Sequence, residues 1–203
     1  MKLIKSYFKS KLTEYLLSVN ENYMSTHMVW GYQNIGGEFS RHTRLSNTVF
    51  INHPERTRIG EGVYVGHFTI LDGTGDLVIE DGCQIGCWVG IFSHSSHIAI
   101  RLYGKHYTEI PEGEKKGFIK KPITIGRCSS IGNGVRLFPG GTVGKGAFIA
   151  TNAVINEPVP DFAMVDSNGK IIGDTRSLDE EYLNDPQIKA WYDEWMNAFS
   201  EKR

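Results

Sequence analysis

Aliphatic residues in the middle of the chain recur every six positions. Apart from two extra residues after Asp76, residues 59–96 and 125–160 divide into twelve blocks of six, from IGEGVY and VGHFTI to IATNAV and INEPVP. The first position of each block is Ile, Val or Leu, and the fifth is always Val, Thr, Ser, Cys, Ala or Gly. A helical period does not fit these blocks, so the pattern predicts short strands.

A six-residue unit has room for one short strand and one tight corner. The aliphatic first residue then points into a narrow core, and the small fifth residue fits where the walls come close. Glycine or a short polar residue at the second position permits backbone conformations that a bulky side chain resists. Three units close one coil, and stacked coils pair their strands in parallel. The pattern therefore predicts a mainly β fold, a parallel coil with an aliphatic interior.

The repeat is interrupted twice. The segment LDGTGDLVI, residues 71–79, carries the two extra residues and is predicted to bulge at one corner. After Ser96 the repeat stops until Ile125, which leaves a long excursion over residues 97–122. Loops of this length inside a compact fold are more often functional than not. The excursion starts at IFSHSSH, so His94 and His97 stand where the coil is left.

Both ends of the chain show helical spacing. The C-terminal segment 174–203 is predicted as a helix with a capping box at Ser177 and Glu180. Its apolar stripe is expected to pack on the coil or on a neighbouring subunit, and consists of Ile188, Trp191, Tyr192, Trp195, Met196 and Phe199. The N-terminal segment 1–30 is predicted to be amphipathic and helical. It either caps the first coil or, through residues 1–20 with their lysines, lies on an anionic membrane surface.

Composition narrows the classes of function. The chain has 203 residues, 40% of them hydrophobic, and a net charge of −1, which suits one globular domain, residues 31–173, with appendages and no nucleic-acid partner. Cys83, Cys87 and Cys128 form no CxxC pair, which favours a reducing compartment. Neither an export signal nor a membrane-spanning stretch is evident, so we expect a cytoplasmic protein.

The segment IGRCSSIGNGVRLFPGGTVGKGAFIATNAVINEPVPDFAMV resembles the hexapeptide-repeat acyltransferase superfamily almost block for block, and the resemblance extends over residues 35–172. It implies a left-handed parallel β-helix, a homotrimer, and acyl transfer from acetyl-CoA or a related thioester. The left hand comes from the resemblance alone, because parallel strand crossovers are normally right-handed. The expected fold is thus a left-handed β-helix with a long loop excursion and flanking helices.

The sugar O-acetyltransferases that the sequence resembles place a histidine where a loop leaves the coil, shortly after Ile-Gly-x-x-Val-x-Ile. IGCWVGIFSHSSH matches that context, which implies that His94 is the catalytic general base, with His97 as its rival. On the six-residue frame IFSHSS stacks between LDGTGD and LFPGGT, so His94 should lie near Thr74. Candidate oxyanion donors are the backbone amides of Pro139, Gly140 and Gly141. Candidate acids to orient the imidazole are Asp72, Asp76 and Glu109.

Further binding residues follow from matched positions. For CoA the resemblance implies Gly132, Asn133, Gly141 and Thr151, with Lys170 meeting a phosphate. Departures from the sugar acetyltransferases at Ser130, Glu157 and residues 166–169 put the substrates of the maltose and galactoside branch in doubt. For a carbohydrate acceptor the candidates are Trp88, Arg101, Tyr103, Lys105, His106 and Tyr107, since arginine and aromatic rings suit a polyhydroxylated or anionic sugar. The resemblance favours O-acetylation of a bacterial surface glycan, such as a capsular polysaccharide or lipopolysaccharide, or its precursor.

Other functions stay open from the sequence. An N-acyltransferase acting on an amino sugar or an antibiotic would use the same fold. A zinc enzyme of the γ-type carbonic anhydrase class would need His67, His94 and His97 as ligands, although no metal is expected for the preferred reading. A non-catalytic β-helix scaffold is the third alternative. The cysteines would allow a covalent route, but Cys83 occupies a core-facing fifth position.

Overall fold

The structure is a computed structural model that describes residues 11–15 and 25–197. Residues 11–15 are helical, and most of the predicted amphipathic segment 1–30 lies outside the described residues, so both alternatives for it stay predictions. In the part of the chain that the structure describes, no helix is long and apolar enough to cross a membrane.

Over residues 25–197, eighteen strands dominate the fold. In chain order they are β1 (Met28–Gln33), β2 (Phe39–Ser46), β3 (Phe50–Asn52), β4 (Thr57–Ile59), β5 (Tyr64–Val65), β6 (Ile70–Asp72), β7 (Leu77–Ile79), β8 (Gln84–Ile85), β9 (Gly90–Phe92), β10 (His94–Ser95), β11 (Ile119–Lys120), β12 (Ile123–Ile125), β13 (Ser130–Ile131), β14 (Arg136–Leu137), β15 (Phe148–Ile149), β16 (Val154–Ile155), β17 (Ala163–Val165) and β18 (Ile171–Asp174). The helices are Ala99–Tyr103, Arg176–Asp179 and Pro186–Asn197, with 3-10 turns at Pro54–Arg56, Gly104–His106 and Glu112–Glu114.

The strands form a three-sided coil. The first face has the order β1-β2-β5-β8-β13-β15-β17-β18, the second β3-β6-β9-β14-β16, and the third β4-β7-β12, continued by bridges through Val143 and Val159. Neighbouring coils pair in parallel, and only the end pairs β1–β2 and β17–β18 of the first face are antiparallel. The predicted mainly β, parallel architecture is confirmed. Its left hand rests on the resemblance and stays a prediction, as do the segment bounds 1–30, 31–173 and 174–203.

The interior follows the six-residue frame. Every first-position residue of the twelve blocks is buried, as Ile85 and Ile91 illustrate with no exposed surface. The fifth-position residues are buried as well, among them Cys83 and Val135, and the exception is Ser95, where the excursion begins. The aliphatic stack is therefore the core that the repeat predicts, and burial of this apolar area is the main contribution to its stability.

Glycine has a different role at the second position than the sequence suggested. An added Cβ on Gly66 would lie 2.7 Å from the carbonyl carbon of Gly86 in the next coil. The left-handed backbone occurs instead at the fourth position of the blocks, with φ of 67° at Gly62, 58° at Phe68 and 55° at Trp88. Second-position glycine thus provides room for the neighbouring coil, while the backbone freedom is needed at the corner that follows.

Replacing Gly66 by alanine is expected to lower the free energy of unfolding by about 1–3 kcal/mol, because the added methyl meets backbone atoms that cannot move without opening the coil. Gly113→Ala is the matched control, since nothing lies within 4 Å of the added Cβ there. Urea unfolding of both variants measures the difference. Equal stabilities of the two variants would refute this packing account.

One corner of the coil is lengthened in successive turns. Ile51 pairs with Leu71 on the second face, and Ile59 pairs with Ile79 on the third face. In both coils the segment that leads from the second face to the third is therefore two residues longer than a six-residue block. The predicted bulge in residues 71–79 is thus part of a wider feature. The next coil opens at the same corner into the long excursion, which places the excursion above two enlarged corners.

The C-terminal segment differs from the predicted continuous helix. It consists of two helices, Arg176–Asp179 and Pro186–Asn197. The break has a local cause: proline is disfavoured inside a helix but suits its first turn, and the Asp185 carboxylate accepts a hydrogen bond of 2.8 Å from the Gln187 N–H. Within the stripe, Trp195 packs on Phe162, with ring centroids 6.3 Å apart. Trp191 is left 60% exposed.

Candidate active site

The excursion leaves and returns as a two-stranded antiparallel ribbon. Strand β10 pairs with β11, so that His94 lies opposite Lys120 and Ser95 opposite Ile119. The ribbon is tied to the coil by a hydrogen bond of 3.0 Å from the Lys121 N–H to the Ser93 carbonyl. The histidines therefore sit on an ordered strand at the root of the excursion, slightly before the predicted start at residue 97.

His94 is hydrogen-bonded to Asp72 of the preceding coil, with 2.6 Å between Nδ1 and Oδ2. The predicted stacking register is confirmed, because β9 pairs with β6 on one side and with β14 on the other. Of the three acids that the sequence offered, only Asp72 contacts the imidazole. Asp76 forms an ion pair with Arg56, and Glu109 one with His106.

Asp72 is enclosed by donors from three coils. Its Oδ1 accepts hydrogen bonds from Asn52 Nδ2 at 2.8 Å and from Thr74 Oγ1 at 2.6 Å, and its Oδ2 accepts one from the Ser93 N–H at 3.1 Å. Burial raises the pKa of Asp72, but the hydrogen bonds from Thr74, His94 and Asn52 outweigh burial and hold the pKa at about 2. The carboxylate is thus ionised at neutral pH, although its side chain is only 3% exposed.

This arrangement determines which imidazole nitrogen is available. An ionised carboxylate can only accept a hydrogen bond, so Nδ1 of His94 carries a hydrogen, and the neutral form of this imidazole has its lone pair on Nε2. The His94 side chain is 32% exposed, which leaves it within reach of a substrate. A positioned carboxylate would also stabilise the imidazolium that forms when Nε2 takes a proton. The pair is chemically suited to general base catalysis.

Three side chains from the returning arm complete the surroundings of His94. The Phe118 ring stacks on the imidazole, with centroids 5.5 Å apart and planes 23° apart. The Lys120 ammonium lies 5.6 Å from the Phe118 ring centroid and forms an ion pair with Glu112. Sequence reasoning missed all three because the six-residue repeat is absent there. The alternation in GFIKK was the available signal for a strand.

His97 faces a different part of the surface. Its Nδ1 lies 2.7 Å from Ser95 Oγ, and in the described part of the chain it forms no hydrogen bond or ion pair with a carboxylate. It lines a groove of about 680 Å³ together with Ser95, Ile119, Lys121, Phe138, Pro139, Val154 and Asn156. A hydroxyl partner can donate or accept, so the tautomer of His97 is not determined as that of His94 is.

The groove continues towards the C-terminal end of the coil. A smaller groove of about 160 Å³ shares Val154 and Asn156 with it and reaches Gly169. Next to Gly169, the Lys170 N–H donates to the Asp166 carboxylate at 2.9 Å and so closes a tight turn. A continuous lining thus runs from the root of the excursion to the turn that carries Lys170.

The predicted oxyanion corner is reduced to one donor. Pro139 has no N–H, and the Gly141 N–H donates to the Phe138 carbonyl at 2.8 Å. Among the described residues, the Gly140 N–H is the one member of this corner without a backbone hydrogen bond. Its backbone has a φ of 95°, which only glycine adopts without strain.

Three of the residues predicted to bind CoA, Gly132, Asn133 and Gly141, lie where neighbouring coils of one chain are in close contact. An added Cβ on Gly132 would meet the Thr151 nitrogen at 2.6 Å, and one on Gly141 the Ile155 carbonyl oxygen at 2.5 Å. Asn133 Oδ1 accepts a hydrogen bond of 2.8 Å from the Cys87 N–H. Of this set, Lys170 alone adjoins the groove, and Thr151 is exposed away from the groove lining.

The residues predicted to bind the acceptor are not gathered around His94. Arg101 donates a hydrogen bond to the His97 carbonyl at 2.6 Å, and the Tyr103 hydroxyl accepts one from the Lys116 N–H at 2.8 Å. His106 forms an ion pair with Glu109. The Tyr107 ring centroid lies 4.0 Å from the Lys115 ammonium. These contacts fold the excursion on itself, and Lys105 is exposed on its outside. Trp88 stacks on Phe68 at the opposite end of β9 from His94.

Neither the zinc set nor a cysteine nucleophile is assembled in one chain. His67 Nδ1 lies 2.6 Å from Ser46 Oγ, away from His94 and His97. Over residues 11–15 and 25–197, no group of three or more His, Cys, Asp or Glu side chains is placed to hold a metal. Cys83 is fully buried, and burial raises the pKa of its thiol to about 12.

No family model matches the chain. Over 113 residues it is 32% identical to the presumed acetyltransferase YJL218W of Saccharomyces cerevisiae, which covers 54% of this chain and 51% of that protein. The probable acetyltransferase Rv3034c of Mycobacterium tuberculosis is 26% identical over 115 residues, covering 55% of this chain and 35% of the relative. The chain thus spans about half or less of the length of the curated relatives it matches.

Solved structures with a similar fold include several acyltransferases. The hexapeptide-repeat acetyltransferase VCA0836 of Vibrio cholerae has a TM-score of 0.55 and 23% identity over 64% of this chain and 69% of its own, and a complex of it with acetyl-CoA is also similar. A galactoside acetyltransferase in complex with coenzyme A has a TM-score of 0.55 and 18% identity over 65% and 62% of the two chains. AntD, an N-acyltransferase of Bacillus cereus in complex with dTDP and 3-hydroxybutyryl-CoA, has a TM-score of 0.54 and 14% identity over 73% and 90%.

At these identities the structural likeness shows the fold. The structural neighbours include a hexapeptide-repeat acetyltransferase and a galactoside acetyltransferase, and the resemblance predicted from the repeat is confirmed at the level of the fold.

Proposed function

We propose that this protein is an acetyl-CoA-dependent O-acetyltransferase that acts on a sugar hydroxyl, with His94 as the general base. The observation that carries the proposal is the His94–Asp72 pair at the root of the excursion, on a coil shared with acetyltransferases. The pair leaves Nε2 free to accept a proton. A surface glycan of a bacterium, or its precursor, is the acceptor that the sequence resemblance favours.

The proposed reaction is a direct transfer. The acceptor hydroxyl attacks the thioester carbonyl carbon while Nε2 of His94 removes the hydroxyl proton, which gives a tetrahedral oxyanion and an imidazolium. Asp72 stabilises the imidazolium, and the Gly140 N–H is the proposed donor to the oxyanion. Collapse of the intermediate breaks the carbon–sulfur bond, and the proton moves from Nε2 to the sulfur, which leaves as the free thiol of CoA.

The acyl donor would occupy the groove that runs from Ser95 to the turn at Lys170. Its apolar wall, formed by residues such as Phe138 and Val154, suits the pantetheine arm, and the turn at its end carries Lys170, whose ammonium suits a phosphate of CoA. Bound acetyl-CoA and CoA in the structural neighbours support this part of the proposal. Gly132, Asn133, Gly141 and Thr151 stay predictions of the resemblance.

A homotrimer and a cytoplasmic location belong to the same proposal. Large apolar side chains are exposed along the second face and its adjoining corner, namely Phe50 at 61%, Phe68 at 51%, Ile70 at 40% and Trp88 at 62%. Contiguous exposed apolar surface of this kind is usually covered by another subunit. Trp88 would then face a neighbouring copy, where its predicted part in acceptor binding can be tested.

The second candidate function is N-acylation of an amino sugar. The similarity to AntD over 90% of that chain favours it, and the same base could take a proton from an amine. The two reactions differ in their product, because mild alkali cleaves an O-acetyl ester and leaves an N-acetyl amide intact.

The test is release of the CoA thiol from acetyl-CoA over a panel of neutral sugars and amino sugars, followed by alkali treatment of the product. We expect thiol release that depends on a hydroxylated acceptor, and an alkali-labile acetyl group. An alkali-stable product would establish N-acylation instead. The absence of acceptor-dependent thiol release across the panel would contradict the proposed function.

A further inference from the structure

The returning arm of the excursion places two charged side chains next to His94. Lys120 lies directly opposite His94 in the β10–β11 pair, and Cβ atoms of such cross-strand neighbours are about 4.5–5.5 Å apart. Its ammonium forms an ion pair with Glu112, which lies in the 3-10 turn Glu112–Glu114. An ammonium and a carboxylate thus stand beside the imidazole.

The backbone of His53 lies at the enlarged corner below. Its carbonyl oxygen lies 2.6 Å from where a Cβ on Gly73 would be, which places it next to the residues that flank Asp72. The Lys120 hydrogen bond lowers the pKa of Glu112, which keeps the carboxyl group ionised beside the ammonium. The side chains of Glu112 and Lys120 are 50% and 34% exposed, and a ligand can therefore reach them.

We propose that Glu112 and Lys120 form the acceptor subsite beside His94, and that this subsite selects an uncharged sugar with adjacent hydroxyls. The proposal rests on the proposed function, because it assigns the sugar to the same imidazole. A paired ammonium and carboxylate offer one donor and one acceptor side by side, which matches two neighbouring hydroxyl groups.

The preference for an uncharged sugar follows from the pairing of charges. Lys120 is paired with Glu112, and Arg56 with Asp76 through bonds of 2.9 and 3.1 Å. Glu55 binds His53 at 2.8 Å and adds a further carboxylate. A sugar carboxylate or phosphate would have to displace Glu112 from Lys120, or Asp76 from Arg56, and would face the remaining acids.

Removing the Glu112 charge should therefore change the selectivity. The probes are the methyl glycosides of glucose, galactose and mannose and the corresponding uronides, with dissociation constants measured by NMR titration in the absence of any acyl donor. We expect the wild-type protein to bind at least one neutral glycoside about tenfold more tightly than its uronide. In Glu112→Gln the freed Lys120 should bind the carboxylate of the uronide, and the ratio of the uronide dissociation constant to that of the neutral glycoside should fall by about tenfold.

Two further variants keep the test decisive. Glu114→Gln makes the same change of charge in the same turn, where Glu114 is exposed, and should retain the wild-type ratio. Lys120→Met should weaken the neutral glycoside without any gain in uronide binding. Equal ratios in Glu112→Gln and Glu114→Gln, a wild-type preference for uronides, or no binding of any probe would overturn the subsite. A retained neutral preference without acetyl transfer would support the subsite and contradict only the proposed reaction.

Discussion

Replacing His94 by alanine is expected to reduce kcat for acetyl transfer by about 10²–10⁴-fold, because the hydroxyl then loses the group that removes its proton. The KM for acetyl-CoA should stay within about twofold, since the groove proposed for the donor is lined by other residues. The fold should be retained, because His94 is partly exposed and its ring contacts are with Asp72 and Phe118. Steady-state rates of thiol release, with circular dichroism as a check of folding, measure these effects.

His97→Ala is the matched control for this prediction. His97 is exposed and bonded to Ser95 rather than to a carboxylate, so we expect its kcat to stay within about fivefold of the wild-type value. A severe loss in His97→Ala together with near-normal turnover in His94→Ala would transfer the role of the base to His97.

Replacing Asp72 by asparagine is expected to lower kcat by about 10²–10⁴-fold. The asparagine amide can donate to Nδ1 of His94, which moves the imidazole hydrogen to Nε2 and removes the lone pair that takes the proton. KM should change little, because Asp72 is buried and acts through His94. The ¹⁵N resonances of His94 provide an independent readout, and the tautomer signal should change in this variant.

Asp76→Asn is the control for Asp72→Asn. Asp76 lies at the same corner but is exposed and paired with Arg56, so its loss should leave both the rate and the His94 resonances near those of the wild type. Similar rates for the two variants, or an unchanged tautomer signal in Asp72→Asn, would show that the carboxylate does not position the imidazole.

The coil could be predicted because every six-residue block has to meet the same local packing requirement. An aliphatic residue such as Ile85 must be buried at every turn, and small residues such as Cys83 are needed where the walls meet, so the pattern is visible without any knowledge of distant contacts. The reason for the second-position glycines was wrong, since the approach of Gly86 to Gly66 depends on the stacking of two coils. The helix break at Pro186 was visible in the sequence and was overlooked.

The candidate site was predictable to the extent that it lies on the repeat. The frame placed His94 over LDGTGD, and strand pairing confirms that register. Three acids remained as candidates to orient the imidazole, because a repeat gives positions and not side-chain directions. The surroundings from Glu112 to Lys120 could not be predicted, since the register of an antiparallel ribbon carries no six-residue signal. Arg101 and Tyr103 were predicted as acceptor-binding residues from their residue type alone, whereas in the structure both form hydrogen bonds within the excursion.

A single-turnover experiment with limiting acetyl-CoA and an accepted sugar tests the central claim most directly. Rapid quenching of the wild-type protein, His94→Ala and His97→Ala would follow the free thiol and the acetylated sugar together. In the wild type, and likewise in His97→Ala, we expect the free thiol and the acetylated sugar to appear at the same rate as each other. In His94→Ala we expect neither product on that time scale. Formation of acetylated sugar by His94→Ala at a rate near that of the wild type would contradict the account.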